Sequence, residues 1–255
     1  MWGFKTRGRR RANSAARDEA MWQSVISRFA FLSMLDSDER ERLRELARLF
    51  LKTKQISGAA GLDLDHEMRL VIAVQACLPV LNLGLDYYKD WVEVIVYPGD
   101  FVPEREYIDE NGVVHRTREP MQGEAWLQGP VILSWEAAEY GRGEGVNVVI
   151  HEFAHKLDML NGEPNGFPPL HQDMNRTEWS KAFSAAYDDF CQRVDSGEVT
   201  AIDPYAAENP AEFFAVLSEV FFETPLLIKR SYPQVYQQLA AFYRQDPVAR
   251  AALTP

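Results

Sequence analysis

Near the middle of the chain stands His151-Glu152-Phe153-Ala154-His155, an H-E-x-x-H pattern. Val146, Ile150, Phe153, Leu157 and Leu160 surround it at helical spacing, and Asn161-Gly162 closes it, so a helix is predicted over 146–160. On such a helix, side chains four residues apart lie one turn above the other. His151 and His155 therefore leave one face together and can reach a single zinc ion, while Glu152 stands beside them within reach of metal-bound water. The apolar stripe on another face implies burial, and buried imidazoles need polar partners. The plainer alternative is a core helix whose histidines bond backbone carbonyls. His66, His115 and His171 show no comparable spacing and read as surface or packing residues.

A catalytic zinc takes three protein ligands and keeps a fourth position for water. The extension that would supply a third histidine is absent, because positions 158 and 161 hold Asp158 and Asn161. The third ligand is then expected to be a carboxylate on a later helix. Asn209 to Glu223 reads as that helix, with Pro210 at the favoured first position and Pro225 beyond its end. Glu212 is the candidate ligand. It also fits a capping box with Asn209, which would keep its carboxylate at its own helix terminus. Glu219, two turns along, is the alternative ligand. Asp158 either orients an imidazole or is a solvated acid in the last turn of its helix.

The rest of the chain suggests what surrounds this helix. Met21 to Leu51 carries Phe31, Leu35, Leu43, Leu46, Leu49 and Phe50 at helical spacing, with Asp36 or Ser37 as a cap, and Asp63 to Leu78 is a further helix stopped by Pro79. Trp91 to Tyr97 is a β-branched and aromatic strand ending in Pro98-Gly99-Asp100. Asn111-Gly112 suggests a hairpin returning through Val113, Val114 and His115. Gly129 to Trp135 is another strand, placed at an edge or a strand start by Pro130. Gly141, Gly143 and Gly145 do not complete a phosphate-binding loop, because Val146 stands where the last glycine is required. Thr177 to Val194 is a late helix. The expected fold class is α+β, mostly helical, with a small mixed or largely antiparallel sheet. Residues 1–20 are expected to form a basic mobile arm. Residues 21–255 form one domain, with a helical layer at 21–85 and a metal-site core at 86–225.

The 255 residues carry a net charge of −11, yet residues 1–17 hold six basic residues and no acid. The acidic body repels phosphate backbones, so nucleic-acid binding would rest on the arm alone. Cys77 and Cys191 are too few for a disulfide framework. The basic start is not followed by an apolar run, and Leu70 to Leu85, broken by Gln75, Pro79 and Asn82, is too short to span a bilayer. These features place the protein in the cytoplasm, without a membrane partner.

HEFAHKLD at 151–158, DPY at 203–205 and NPAEFFA at 209–215 resemble the motifs of the Mlc titration factor A family of bacterial metallopeptidases. The order of helical and strand regions is similar to that family over nearly the whole chain. The resemblance implies zinc ligands at His151, His155 and Glu212, a catalytic glutamate at Glu152 and an active-site tyrosine at Tyr205. It implies a zincin-like fold whose catalytic part is similar to that of anthrax lethal factor. It also implies aminopeptidase-type activity on short peptides and binding of the glucose repressor Mlc, which the family keeps from DNA.

Zinc would lower the pKa of its water and polarise a peptide carbonyl, Glu152 would move the proton, and Tyr205 would donate to the developing oxyanion. The strand Val131 to Ser134 is a candidate for binding substrate backbone by strand addition. Glu136, Glu139 and Glu208 are candidates for holding a substrate ammonium group. A reading from another class is a regulatory binding protein whose zinc site is structural or vestigial. Three mixed ligands favour catalysis, since structural zinc sites close with four Cys or His.

Overall fold

The computed structural model describes residues 3–102, 105–108, 114–117, 121–140 and 145–253. The turn Asn111-Gly112 with Val113, and the glycines Gly141 and Gly143, lie outside the described residues. Helices α1 (Gly3–Arg28), α2 (Ala30–Ser33) and α3 (Ser37–Thr53) come first, followed by β1 (Gln55–Gly58), α4 (His66–Cys77) and β2 (Glu93–Tyr97). A hairpin of β3 (Arg105–Ile108) and β4 (Val114–Thr117) precedes β5 (Gly123–Ala125), β6 (Val131–Ser134) and α5 (Trp135–Glu139). The remainder is helical: α6 (Val148–Asp158), α7 (Arg176–Asp195), α8 (Pro210–Glu223), α9 (Pro225–Ser231), α10 (Pro233–Tyr243) and α11 (Pro247–Leu253). This is an α+β fold, mostly helical, with one small mixed sheet.

The helix starts follow from their caps. Asp36 and Glu39 form a reciprocal capping box at α3, and Asp65 caps α4 through the Met68 N–H. The first helix departs from expectation, since α1 already runs from Gly3 rather than from Met21. Residues 3–20 lack an apolar face but are rich in Ala and Arg, which favour helix, and a helix nucleated by the amphipathic part downstream can propagate into them.

The sheet runs β1-β2-β6-β5. The pairs β1/β2 and β2/β6 are parallel, and only β5/β6 is antiparallel. The expectation of a largely antiparallel sheet is thereby corrected. Its physical reason is the chain between strands: α4 forms the crossover from β1 to β2, and a crossover of that length returns the strand parallel. The edge assignment of Val131–Ser134 is corrected as well. β6 has β2 on one side and β5 on the other, so no substrate strand can add to it. Pro130 marks the strand start instead. The described edge nearest α6 is β5.

Alternation decides what the sheet covers. Val94, Val96, Val131 and Leu133 are buried, while Glu93, Ile95, Tyr97 and Ile132 on the other face are half-buried. The helix α4, buried from Leu70 to Cys77, packs on α3 and α6. Phe153 of α6 is enclosed by Phe50, Tyr88 and Trp91, with ring centroids 5.1–5.7 Å away. On α8, Phe213 and Phe214 pack among Trp179, Phe183, Phe190 and Phe242. These two aromatic clusters hold α6 and α8 in fixed relation, because displacing either helix would open cavities around several rings.

Candidate metal centre

Both helices of the site begin at asparagine. Asn147 Oδ1 accepts the Ile150 N–H of α6 at 2.9 Å, and Asn209 Oδ1 accepts the Ala211 and Glu212 N–H groups of α8 at 2.9 and 3.0 Å. Asn209 thus caps α8, but Glu212 does not return its carboxylate to the cap. The side chain crosses to α6. Its Oε2 lies 3.0 Å from His151 Nε2 and 3.2 Å from His155 Nε2, and the two Nε2 atoms are 3.1 Å apart. His151, His155 and Glu212 can hold a metal ion among them.

The chemistry of this donor set fits a cation. Glu219, one heptad beyond Glu212 on α8, places Oε1 2.8 Å from His151 Nδ1, and its other oxygen accepts the Asn147 N–H. With its Nδ1 proton committed to Glu219, a neutral His151 presents a lone pair at Nε2. That lone pair and the Glu212 carboxylate are both acceptors and repel each other unless a proton or a cation sits between them. A tetrahedral ion bound at about 2.1 Å from each ligand atom needs ligand separations close to those observed.

Charge follows the same logic. Burial works against protonating His151, yet hydrogen bonds to Glu212 and Glu219 win and hold its pKa well above the ordinary imidazole value. Burial also works to raise Glu212, but hydrogen bonds from the two imidazoles outweigh it and hold the carboxyl well below the usual range. Glu219 is raised by burial. Glu152 is 4% exposed and makes no hydrogen bond among the described residues; burial pushes its pKa up to about 7, against the pull of the two histidines. A carboxylate at that pKa takes up and gives back a proton near neutrality.

Asp158 is not a solvated acid. It is fully buried, and its Oδ2 accepts the Asn165 and Gly166 N–H groups at 2.7 Å each. Its Oδ1 and the Nδ1 of His155 are both buried without a hydrogen-bond partner among the described residues. Burial raises the Asp158 pKa, and the hydrogen bonds from the Gly166 and Asn165 N–H groups oppose that rise. Tyr205 sits on the short 3-10 turn Pro204–Ala207, its ring centroid 6.2 Å from that of His151, and it is half exposed. Glu136 is exposed and lies against Gly99, Glu208 is exposed beside the α8 cap, and Glu139 ends α5. None of these three hydrogen-bonds to the histidine–carboxylate cluster.

Part of the site lay outside the sequence reading. Behind His151, Asn147 Nδ2 donates to Gln75 Oε1 at 2.9 Å and to Glu223 Oε1 at 3.0 Å, and Gln75 in turn donates to the Val71 and Ala138 carbonyls. The network ties α4, α6 and α8 together under the metal-capable group. A signal for it was present: Glu212, Glu219 and Glu223 recur two turns and then one turn apart on an otherwise apolar helix.

An H-E-x-x-H helix braced against a glutamate-bearing helix, beside a mixed sheet, defines a metallopeptidase-type protein. The chain matches the family of glucose-regulated metallopeptidases M90 over residues 4–244 and belongs to it. It is 39% identical over 253 residues to Mlc titration factor A of Escherichia fergusonii, covering 98% of this chain and 93% of that one. It is 39% identical over 235 residues to Mlc titration factor A of Klebsiella pneumoniae subsp. pneumoniae, covering 91% and 88%. The same-named protein of Escherichia coli O139:H28 is 38% identical over 240 residues, covering 93% and 90%. Among the described residues no helix is long and apolar enough to cross a membrane.

Proposed function

We propose that the protein is a zinc-dependent peptidase of aminopeptidase type, with His151, His155 and Glu212 as zinc ligands, Glu152 as general base and acid, and Tyr205 as oxyanion donor. The observation that carries this reading is the approach of three ligand atoms to within 3.0–3.2 Å of one another, with Glu219 fixing the tautomer of one of them. When bound, the ion supplies Lewis acidity toward the peptide carbonyl and lowers the pKa of the attacking water. Glu152 accepts the water's proton at a carboxylate oxygen and returns it to the leaving amine. Tyr205, half exposed with its ring centroid 6.2 Å from that of His151, donates its phenolic hydrogen to the oxygen that gains charge.

Substrate backbone lies along β5 in this reading, in place of β6. The β5 edge strand carries Gly123 where any Cβ would overlap the Glu152 carboxylate, so strand and general base approach closely only because that residue is glycine. The relatives' name, Mlc titration factor A, supports a second proposed role, binding of the repressor Mlc; we further propose that this binding takes place in the cytoplasm and does not need peptide hydrolysis.

The test is Glu152→Gln in the metal-loaded protein. Bound zinc stays near one ion per chain while kcat for peptide hydrolysis falls by about 100-fold or more, and binding of Mlc is unchanged. Hydrolysis at the wild-type rate refutes the assignment.

A further inference from the structure

Lys156 follows His155 in α6 but faces away from the imidazoles. It shares a helix face with Glu152, one turn earlier, and that face meets β5 and the turn joining β5 to β6. Its exposure is 3%, a rare state for an ammonium group without partners. Among the described residues it has no carboxylate partner. Its Nζ donates instead to two main-chain carbonyls, Trp126 O at 2.6 Å and Gly129 O at 3.1 Å, and lies 5.1 Å from the ring centroid of Trp91. Trp126 and Gly129 are the two ends of the β5–β6 turn, closed by the Gly129 N–H donating to the Trp126 carbonyl at 3.2 Å. The charge is therefore buried to hold backbone. One helix face touches the hairpin twice: Glu152 against Gly123 and Lys156 at the turn.

We propose that Lys156 is a positioning residue: it clamps the β5–β6 turn to α6 and so sets how far the β5 edge, with the peptide on it, stands from Glu152 and the metal centre. The proposal rests on the peptidase reading above only for its effect on substrate. Three points support a local clamp over general packing. Both acceptors lie in one turn. The strand it steadies is short and on the described edge of the sheet. The same helix face carries the proton-transfer group.

The experiment uses Lys156→Met, which keeps an apolar stem of similar reach and removes the donors. Two readouts are taken on the zinc-loaded chain: hydrogen exchange of the peptide spanning 121–130, and kinetics on a hexapeptide compared with a single-residue p-nitroanilide too short to lie along β5. The expected result is faster exchange in 121–130 with α6 unchanged, and KM for the hexapeptide raised about tenfold, the scale of a lost charge-assisted hydrogen bond. Hydrolysis of the anilide stays within about twofold, and bound zinc is unchanged. Gly129→Ala is the second variant. Its Cβ would lie 2.9 Å from Trp126 Cβ, so it shifts the turn while Lys156 remains. It gives the same substrate split, and the double variant adds little to either. If Lys156→Met does not fold, Gly129→Ala alone decides by these readouts. Equal loss on both substrates, or unchanged exchange in 121–130, overturns the clamp. A wild-type protein that cleaves neither substrate would overturn the peptidase reading instead, and exchange then decides the clamp.

Discussion

The two working faces of α6 are built on different principles. The face bearing His151 and His155 meets another long helix, and Glu219 hydrogen-bonds His151 from behind, while the Nδ1 of His155 has no hydrogen-bond partner among the described residues. The face bearing Glu152 and Lys156 meets a short hairpin, where, among the described residues, Glu152 makes no hydrogen bond and Lys156 bonds only backbone. Metal ligands must be held to a few tenths of an ångström, and helix-on-helix packing with backing hydrogen bonds provides that. A general base must change protonation state, and a carboxylate bonded firmly on both oxygens would resist doing so. On the proposed roles, the difference teaches that rigidity is placed where the ion would bind and electrostatic freedom where the proton would move.

This contrast is broken most severely on the ligand side. His151→Ala would remove one of the three proposed ligands and leave Glu212 and Glu219 facing a void, so bound zinc is expected to fall to near zero and hydrolysis to drop by about a thousandfold or more. Metal analysis beside a peptide assay checks both. Glu219→Gln is milder, because the ligands remain but the His151 tautomer is no longer imposed. Zinc affinity is expected to weaken about 10- to 100-fold by competition with a chelator, with the fold intact by circular dichroism.

The last effect is expected on the other face, in stability and not in metal binding, and sharpens the comparison. In metal-free protein Glu152 has a pKa of about 7 against an ordinary 4.5, so between those values the folded state binds more protons than the unfolded one. Its contribution is complete below about pH 4.5 and is lost as pH rises through about 7. Glu152→Gln removes that slope, and the gap in unfolding free energy between wild type and variant shifts by at most about 3 kcal/mol over the range. Denaturant titrations of both proteins at pH 4.5 and pH 7.5 measure it. A parallel pair of curves would show that Glu152 titrates alike in both states.

The ligand helix was legible because helical spacing is local. His151 and His155 stand four apart, and Glu212 sits three residues after its cap Asn209; the cap Asn147 is not legible in the same way, because the apolar pattern starts the helix at Val146, one residue ahead of it. The sheet was less legible. A strand pattern such as Val131–Ser134 reveals alternation but not its neighbours, and whether it is edge or interior depends on where α4 carries the chain between β1 and β2.

The sequence by itself determined which residues share a turn and that two imidazoles leave α6 together, since these depend on contacts within a few residues; it did not determine that α1 already begins at Gly3. Only the tertiary structure decided that Glu212 serves the imidazoles and not its own cap, that Glu219 backs His151, that Asp158 is buried, and that Lys156 grips a backbone turn. Those outcomes join residues tens of positions apart. They are set by how the aromatic clusters around Phe153 and Phe214 pack α6 and α8, which no local pattern contains.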